Sequence, residues 1–269
     1  MTINNNFLLA KNINFPVLIS ENILHESLYR GLNKEIDILH LSERTNNFGQ
    51  FGRENVVLKP KDLPYLNEEY PCLRDLIISL DSKEFRGYFL KMFKKHELSK
   101  DYNLDDKIFS SSLELNVSIS KDGYENPYHV DTRKRLVHGL IYFDRDSFEG
   151  GDFSVCNTKK MADSMYPQIV HNSQITSEYK IDVSDNLGLI VLSTPNSYHK
   201  GNKTFGRRKF IYFAYNMEDS KFWSQHSSWK YPLSFNEGIF YQNIKFRIFA
   251  NLYIKLIKLK KIIVSIFKS

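Results

Sequence analysis

A change of hydrophobic period at residue 112 constrains the fold more than any other feature of the chain. From Ser112 to Ser120 apolar and polar residues alternate, which predicts a strand with one buried face. Shorter apolar runs at 135–143, 153–156, 179–183, 187–192 and 208–215 follow, with turn-forming residues between several of them. Short strands with frequent turns predict an antiparallel sandwich or barrel, not an alternating α/β fold.

Two segments in the first 110 residues have the apolar spacing of helices. One covers residues 73–80, and the other runs from a cap at Asp81 or Ser82 to Lys95. We expect both helices to buttress the sheet, and we assign them no chemistry.

Composition excludes several classes of protein. The chain has 269 residues, is 42% hydrophobic and contains two cysteines. With no Cys-x-x-Cys spacing, these cysteines form neither a zinc finger nor a disulfide framework, as is usual in a reducing compartment. Residues 1–10 lack the basic segment and long apolar run of a secretory signal. We therefore expect a globular, cytoplasmic protein.

A His-x-Asp triplet at His129 and Asp131 follows the first strand of the sheet after a loop. In an extended segment, residues i and i+2 point to the same side, so both side chains can bind one ion. His199 would add a third ligand from a neighbouring strand. Two imidazoles and one carboxylate leave coordination positions open, which is typical of non-haem Fe(II) oxygenases. Because such a triplet also arises by chance, the metal site is a hypothesis that depends on its context.

Arg208 begins the last apolar run of the predicted sheet. A buried guanidinium at this position is suited to binding a carboxylate through two hydrogen bonds. Arg207 is the rival for this role, and on a strand the two neighbours must face opposite ways.

Residues 113–216 resemble the Fe(II)/2-oxoglutarate-dependent dioxygenases, and among them the prolyl 4-hydroxylase-like branch. The resemblance covers about two-fifths of the chain. The shared elements occur in the family's order: a strand, His129-x-Asp131, a strand ending at Phe143, Gly150-Gly151, the segment 187–191, His199, and Arg208 before a closing strand.

The resemblance implies a fold that is mainly β with flanking helices (α+β). Its core would be a double-stranded β-helix, a jelly roll or cupin-like barrel whose mouth holds the metal. The chain would then divide into an N-terminal α/β support region (1–110), the dioxygenase core (111–220) and a C-terminal extension with a basic amphipathic helix (221–269).

The resemblance also implies how the metal and the co-substrate are bound. His129, Asp131 and His199 would bind Fe(II), and Arg208 would bind the distal carboxylate of 2-oxoglutarate. Tyr142 would donate its hydroxyl to the same carboxylate, unless it is a core aromatic residue.

Two further residues are candidates for the pocket. His138 lies on the strand inside the expected barrel and would line the 2-oxoglutarate pocket or be a satisfied core histidine. Tyr124 lies on the loop before the triplet, where substrate contacts are expected.

The implied reaction uses Fe(II), 2-oxoglutarate and O₂ to hydroxylate an unactivated C–H bond, releasing succinate and CO₂, with ascorbate as a reductant. The carboxylate of Asp131 favours hydroxylation, because halogenating relatives carry a small residue there. A zinc-dependent hydrolase on the same ligands and a non-catalytic jelly-roll binding module are the alternatives. The substrate stays open among a cell-envelope sugar or lipid-linked intermediate, an amino acid and a prolyl residue.

The net charge of +6 is concentrated at the C-terminus. Residues 240–269 contain seven basic residues and no acidic ones, so the rest of the chain has no general nucleic-acid signature. Residues 244–267 have the pattern of a basic amphipathic helix, which is suited to an anionic membrane surface. The alternative is that its apolar face packs on the barrel or on a second subunit, and the oligomeric state stays open.

The tail hypothesis predicts that residues 244–268 bind vesicles in proportion to their anionic lipid and that salt weakens this binding. Each basic residue near the surface would contribute about 1 kcal/mol. Deleting residues 244–269 should then leave a more soluble chain that still decarboxylates 2-oxoglutarate. Co-sedimentation of both chains with neutral and anionic vesicles tests this. Aggregation and inactivity of the truncated chain, with no vesicle binding by the intact one, would favour packing on the barrel.

Overall fold

A computed structural model of the chain describes residues 3–41, 53–66, 68–97, 99, 102–131, 134–158, 168–169, 175–194 and 196–218. Its strands are β1 (Leu8–Leu9), β2 (Val17–Ser20), β3 (Arg53–Leu58), β4 (Ser112–Ser120), β5 (Asn126–Val130), β6 (Arg135–Phe143), β7 (Phe148–Gly150), β8 (Phe153–Thr158), β9 (Gln168–Ile169), β10 (Ile175–Ile181), β11 (Gly188–Leu192), β12 (Tyr198–Gly201), β13 (Thr204–Gly206) and β14 (Arg208–Asn216).

The described residues form four α-helices, and these four lie before residue 111. They are α1 (Glu26–Leu41), α2 (Pro71–Asp81), α3 (Lys83–Phe93) and α4 (Asp105–Ser110), and short 3₁₀ turns cover Pro60–Tyr65 and Arg145–Ser147. The predicted helices at 73–80 and 82–95 correspond to α2 and α3. The Ser82 side chain accepts a hydrogen bond from the backbone N–H of Phe85 and so caps α3.

The strands form two principal antiparallel sheets. The larger has seven strands in the order β1-β2-β11-β6-β14-β4-β3, and the smaller has five in the order β10-β8-β12-β5-β9. Along the chain, β4, β6, β11 and β14 belong to the larger sheet and alternate with β5, β8–β10 and β12 of the smaller one. This alternation between two sheets is the double-stranded β-helix, so the predicted fold is confirmed.

The inner faces of the two sheets enclose the space that holds the candidate site. Leu140, Tyr142 and Phe210 of the larger sheet share a buried cluster with Phe153 and Val155 of the smaller one. The outer face of the larger sheet is covered instead by the helices. Ile211 and Phe213 on this outer face pack in one core with apolar residues of α1, α2 and α3.

The residues before position 111 add strands to the larger sheet at both of its edges. β2 pairs with β11, and β3 pairs with β4 in a register that sets Arg53 opposite Ser120 and Asn55 opposite Ser118. The N-terminal region therefore contributes to the same sheet as the core, besides supporting it with helices.

Sequence reasoning placed one boundary of the smaller sheet incorrectly. The Asn126-Pro127 turn signal predicts that the loop before His129 extends to residue 128, but β5 begins at Asn126, which pairs with Gly201 of β12. Tertiary pairing thus overrides the local signal. The predicted C-terminal extension and its helix lie outside the described residues. Among the described helices, none combines the length and apolar character needed to span a bilayer.

Close packing on the outer face of the sheet gives a test of this architecture. A Cβ atom added to Gly139 of β6 would lie 2.1 Å from Cζ of the fully buried Phe213 on β14. We expect Gly139→Ala to destabilise the fold by about 1–3 kcal/mol through overpacking, measured by urea unfolding.

Gly87 in α3 is the matched control, because the nearest atom to its added Cβ is 3.9 Å away. Gly87→Ala should stabilise the fold by about 0.5–1 kcal/mol, as expected for alanine in a helix. Equal unfolding midpoints for Gly139→Ala and the wild type would contradict the packing of Phe213 described here.

Candidate metal centre

The three predicted metal ligands come together between β5 and β12 of the smaller sheet. His129 and His199 lie directly opposite each other in the antiparallel pair, and Asp131 follows the end of β5. One ligand atom from each side chain lies within 4.8 Å of the other two. The two imidazole rings are 4.4 Å apart between centroids. This spacing suits a single metal ion held by two nitrogen atoms and one oxygen.

Hydrogen bonds to the backbone fix both imidazoles in the same tautomer. Nδ1 of His129 lies 2.8 Å from the carbonyl oxygen of Pro127, and Nδ1 of His199 lies 2.9 Å from that of Ser197. A carbonyl oxygen only accepts, so Nδ1 must carry the proton in both rings. The lone pair of each neutral ring is then on Nε2, the atom left to bind a metal.

The charge states of the three ligands also favour metal binding. Burial lowers the pKa of His129, and burial together with the neighbouring His129 and His138 lowers the pKa of His199 further. Burial alone would raise the pKa of Asp131. The neighbouring His138 and Arg135 more than offset this and hold the pKa of Asp131 well below its usual range. At neutral pH the set is therefore two neutral imidazoles and one carboxylate, the protonation state that a metal requires.

Three residues surround the Asp131 carboxylate. Tyr212 donates its hydroxyl to Oδ2 at 3.1 Å, and Nη1 of Arg135 lies 3.7 Å from Oδ1. Nδ1 of His138 lies 2.9 Å from Oδ2 of Asp131 and 2.9 Å from Oγ of Ser193. These contacts orient the carboxylate, as outer partners of metal ligands commonly do.

Sequence reasoning placed His138 inside the barrel but did not identify Arg135, Ser193 or Tyr212. The signal for Tyr212 was present, because it shares strand parity with Arg208 and therefore faces the same way. No local signal marks Arg135 or Ser193, whose roles depend on the pairing of distant strands. His138 is fully buried, and its Nε2 has no hydrogen-bond partner within the described part of the chain.

Arg208 enters the same cavity as the three ligands, a space of about 440 Å³ between the sheets. The residue is 3% exposed. Its guanidinium carbon lies 5.0 Å from the ring centroid of Phe210, 5.4 Å from that of Tyr124 and 5.9 Å from that of Tyr142. Nη1 donates to the carbonyl oxygen of Gly151, while Nε has no partner among the described residues.

The Gly150-Gly151 pair makes room for this arginine. Both residues have positive φ, +65° and +70°, a conformation that favours glycine. A Cβ at Gly151 would lie 3.0 Å from Nη1 of Arg208. The small residue therefore allows the backbone to approach the guanidinium closely.

Arg207 faces the opposite way. Its Nη2 lies 2.9 Å from Oδ1 of Asp37 in α1, and its side chain is 49% exposed. Tyr142 and Tyr124 both line the cavity beside Arg208. Burial raises the pKa of Tyr142, so its phenol stays protonated and able to donate a hydrogen bond.

The residues present fit a divalent metal ion beside an anionic ligand. The two Nε2 lone pairs and the carboxylate form a mixed nitrogen and oxygen donor set on one side of the ion, a set that matches Fe(II) with open positions. The buried guanidinium of Arg208 lines the same cavity. No carboxylate lies within ion-pair distance of it in the described ranges, so the cavity offers charge compensation to a bound anion.

No protein-family model matches the sequence, and no curated protein matches it. Several solved structures are similar to it over about three-quarters of the chain. A prolyl-4-hydroxylase from Pseudomonas putida is 12% identical, with 76% of this chain and 93% of that chain covered and a TM-score of 0.48. A prolyl hydroxylase from Trichoplax adhaerens, in complex with a hypoxia inducible factor oxygen degradation domain peptide fragment, is 15% identical, with 76% and 85% covered and a TM-score of 0.47.

A third structure is the dioxygenase for auxin oxidation 1 from Arabidopsis thaliana in its complex with 2-oxoglutarate. It is 13% identical, with 72% of this chain and 79% of that chain covered and a TM-score of 0.48. At such low identities the function has to be inferred from the site itself.

The geometry predicts a graded loss of metal binding, measured by titrating the apoprotein with Co(II) and following its visible absorption. Removing a ligand by His199→Ala or Asp131→Ala should weaken binding by more than about a hundredfold. Tyr212→Phe should weaken it by roughly 10–100-fold, the usual effect of losing an outer partner.

His25→Ala is the control, because His25 is exposed at the start of α1 and should leave Co(II) affinity unchanged. Unchanged affinity in Asp131→Ala would show that the metal binds elsewhere.

Proposed function

We propose that this protein is an Fe(II)- and 2-oxoglutarate-dependent dioxygenase that hydroxylates an unactivated C–H bond. One observation carries the proposal: a cluster of two histidines and one aspartate lines the same cavity as a buried arginine that has no carboxylate partner among the described residues. The three metal ligands alone are compatible with several kinds of reaction. The buried arginine in the same cavity favours one that uses an anionic co-substrate.

In this function His129 and His199 bind Fe(II) through Nε2 and Asp131 binds it through its carboxylate. With 2-oxoglutarate and O₂ bound, the iron supplies oxidative decarboxylation to succinate and CO₂ coupled to C–H hydroxylation, with ascorbate as an accessory reductant. Tyr212 and His138 hold the carboxylate of Asp131 in place. The protein thus supplies fixed geometry for chemistry that belongs to the cofactor.

Arg208 binds the distal carboxylate of 2-oxoglutarate in the proposed complex. Its unpartnered Nε and the remaining Nη donors form the planar fork that matches a carboxylate. Tyr142 adds a hydroxyl donor, since its phenol stays protonated. The rings of Phe210 and Tyr124 flank the guanidinium, keeping water away and strengthening the charge-assisted bonds.

The alternatives account for fewer of these features. A zinc-dependent hydrolase on the same three ligands gives Arg208 and Tyr142 no task, and a non-catalytic jelly-roll module gives no reason for carbonyl-fixed, neutral imidazoles. The substrate is a small molecule, a peptide residue such as proline, or a cell-envelope sugar or lipid-linked intermediate.

We further propose a cytoplasmic location, with residues 244–268 at an anionic membrane surface. We also propose that the dioxygenase core is bounded by residues 110 and 220.

Succinate formation from 2-oxoglutarate tests the function, because these enzymes decarboxylate slowly even without their true substrate. We expect Fe(II)-dependent succinate release from the wild type and none from His129→Ala or Asp131→Ala, with circular dichroism confirming the fold. We expect Arg208→Gln to lose about 2–5 kcal/mol of 2-oxoglutarate binding, as for one partner of a buried charged pair, while metal affinity stays unchanged.

Arg207→Gln is the matched control, since it removes the neighbouring guanidinium from the surface side of the same segment. It should leave 2-oxoglutarate binding as in the wild type. Equal succinate release by the wild type and Asp131→Ala would rule out the proposed function, and a larger effect of Arg207→Gln would move the carboxylate clamp to Arg207.

A further inference from the structure

The edge strand β3 brings a second set of polar side chains into the cavity. Its register with β4 sets Arg53 opposite Ser120, Asn55 opposite Ser118 and Val57 opposite Asn116. Directly opposed residues of an antiparallel pair point to the same side. Arg53, Asn55 and Val57 indeed all line the cavity that holds the metal ligands.

Arg53 lies level with Arg208 across the larger sheet. Both residues are opposite Ser120, one from β3 and the other from β14. Their guanidinium carbons lie 5.7 Å and 5.0 Å from the ring centroid of the same Phe210. Two positive charges thus face one cavity from the two strands that flank β4.

The other charged residues that line this cavity already have counter-charges. Arg135 and Asp131 lie 3.7 Å apart, and the lining residue Glu114 lies 3.4 Å from Lys59. In the described ranges, no carboxylate lies within ion-pair distance of Arg53 or Arg208. Because 2-oxoglutarate satisfies the guanidinium of Arg208 in the proposed function, the half-buried guanidinium of Arg53 stays available for a second anion.

We infer that Arg53 binds a carboxylate of the primary substrate, and this inference rests on the proposed function. A single remaining guanidinium matches the one negative charge of a carboxylate better than the two of a phosphate. Asn55 supports the assignment, since its Oδ1 accepts from Oγ of Ser118 at 2.6 Å. Its amide Nδ2 is then the free donor beside the arginine.

The register also limits the length of the substrate. From Arg208 to Tyr212, whose hydroxyl reaches Asp131, the strand advances about 13 Å at 3.3 Å per residue. Arg53 starts from the same level along the sheet as Arg208 but lies two strands away from it. The substrate class is therefore a small carboxylate that spans the cavity from Arg53 to the metal ligands.

A binding experiment without turnover tests this inference. The protein is loaded with Mn(II) in place of Fe(II) and saturated with 2-oxoglutarate, and then butyrate or its uncharged counterpart butyramide is added. Paramagnetic broadening of the probe's proton NMR signals reports binding near the metal. We expect butyrate to be broadened far more than butyramide.

Variants assign this effect to the arginine. Arg53→Gln should weaken butyrate binding by about tenfold, the usual effect of losing a hydrogen bond to a charged group. Arg53→Lys should retain part of the affinity because it keeps the charge. Arg207→Gln, which removes an equal charge from the surface, should change nothing, and 2-oxoglutarate affinity should be the same in all three variants.

Equal broadening of the two probes, or unchanged butyrate binding in Arg53→Gln, would overturn the inference. So would a loss of 2-oxoglutarate affinity in Arg53→Gln, which would assign Arg53 to the co-substrate. Failure of the wild type to bind 2-oxoglutarate at all is a separate result. It would refute the proposed function, and with it the inference that rests on that function.

Discussion

The register of β14 is the constraint on which the rest of the site depends. This strand pairs along its whole length with β4 on one side and from Lys209 onward with β6 on the other. Its inward residues include Arg208, Phe210 and Tyr212, and its outward residues pack beneath the helices. A slip of one residue would exchange the two sets, because side chains alternate along a strand. The register is therefore fixed by burial on both faces.

An ion network on the outer face holds the same register. Nζ of Lys209 lies 2.8 Å from Asp37 of α1 and 3.0 Å from Asp144 after β6. Burial alone would raise the pKa of Asp37, but hydrogen bonds from Lys209 and Arg207 lower it instead. Arg207 and Lys209, on either side of Arg208, thus form ion pairs with helix α1. Of the two adjacent arginines, Arg208 is the one that faces inward.

The interior of the barrel combines groups that are costly to bury. The guanidinium of Arg208, the carboxylate of Asp131 and three imidazoles are among the groups that share a cavity with aromatic walls, and the neighbouring His138 and Arg135 favour the charged form of Asp131. Within the described part of the chain, the partners of the Arg208 guanidinium are aromatic faces and one backbone carbonyl. Burying an uncompensated charge is unfavourable, and this cost is recovered when an anion binds. The electrostatics of the pocket therefore favour negatively charged ligands.

The sequence by itself determined four strands of the larger sheet, β4, β6, β11 and β14, and the direction that the side chains of β4 and β14 face. Alternation at Ser112–Ser120 and the parity of Arg208 are local properties, because a half-buried strand has a period of two residues. The spacing of His129 and Asp131 likewise set two ligands on one segment. Only the tertiary structure decided that His199 lies opposite His129, that Arg135 and Tyr212 surround Asp131, and that Arg53 enters the cavity. These neighbours come from strands far apart in the chain, and no local periodicity encodes which strands will pair.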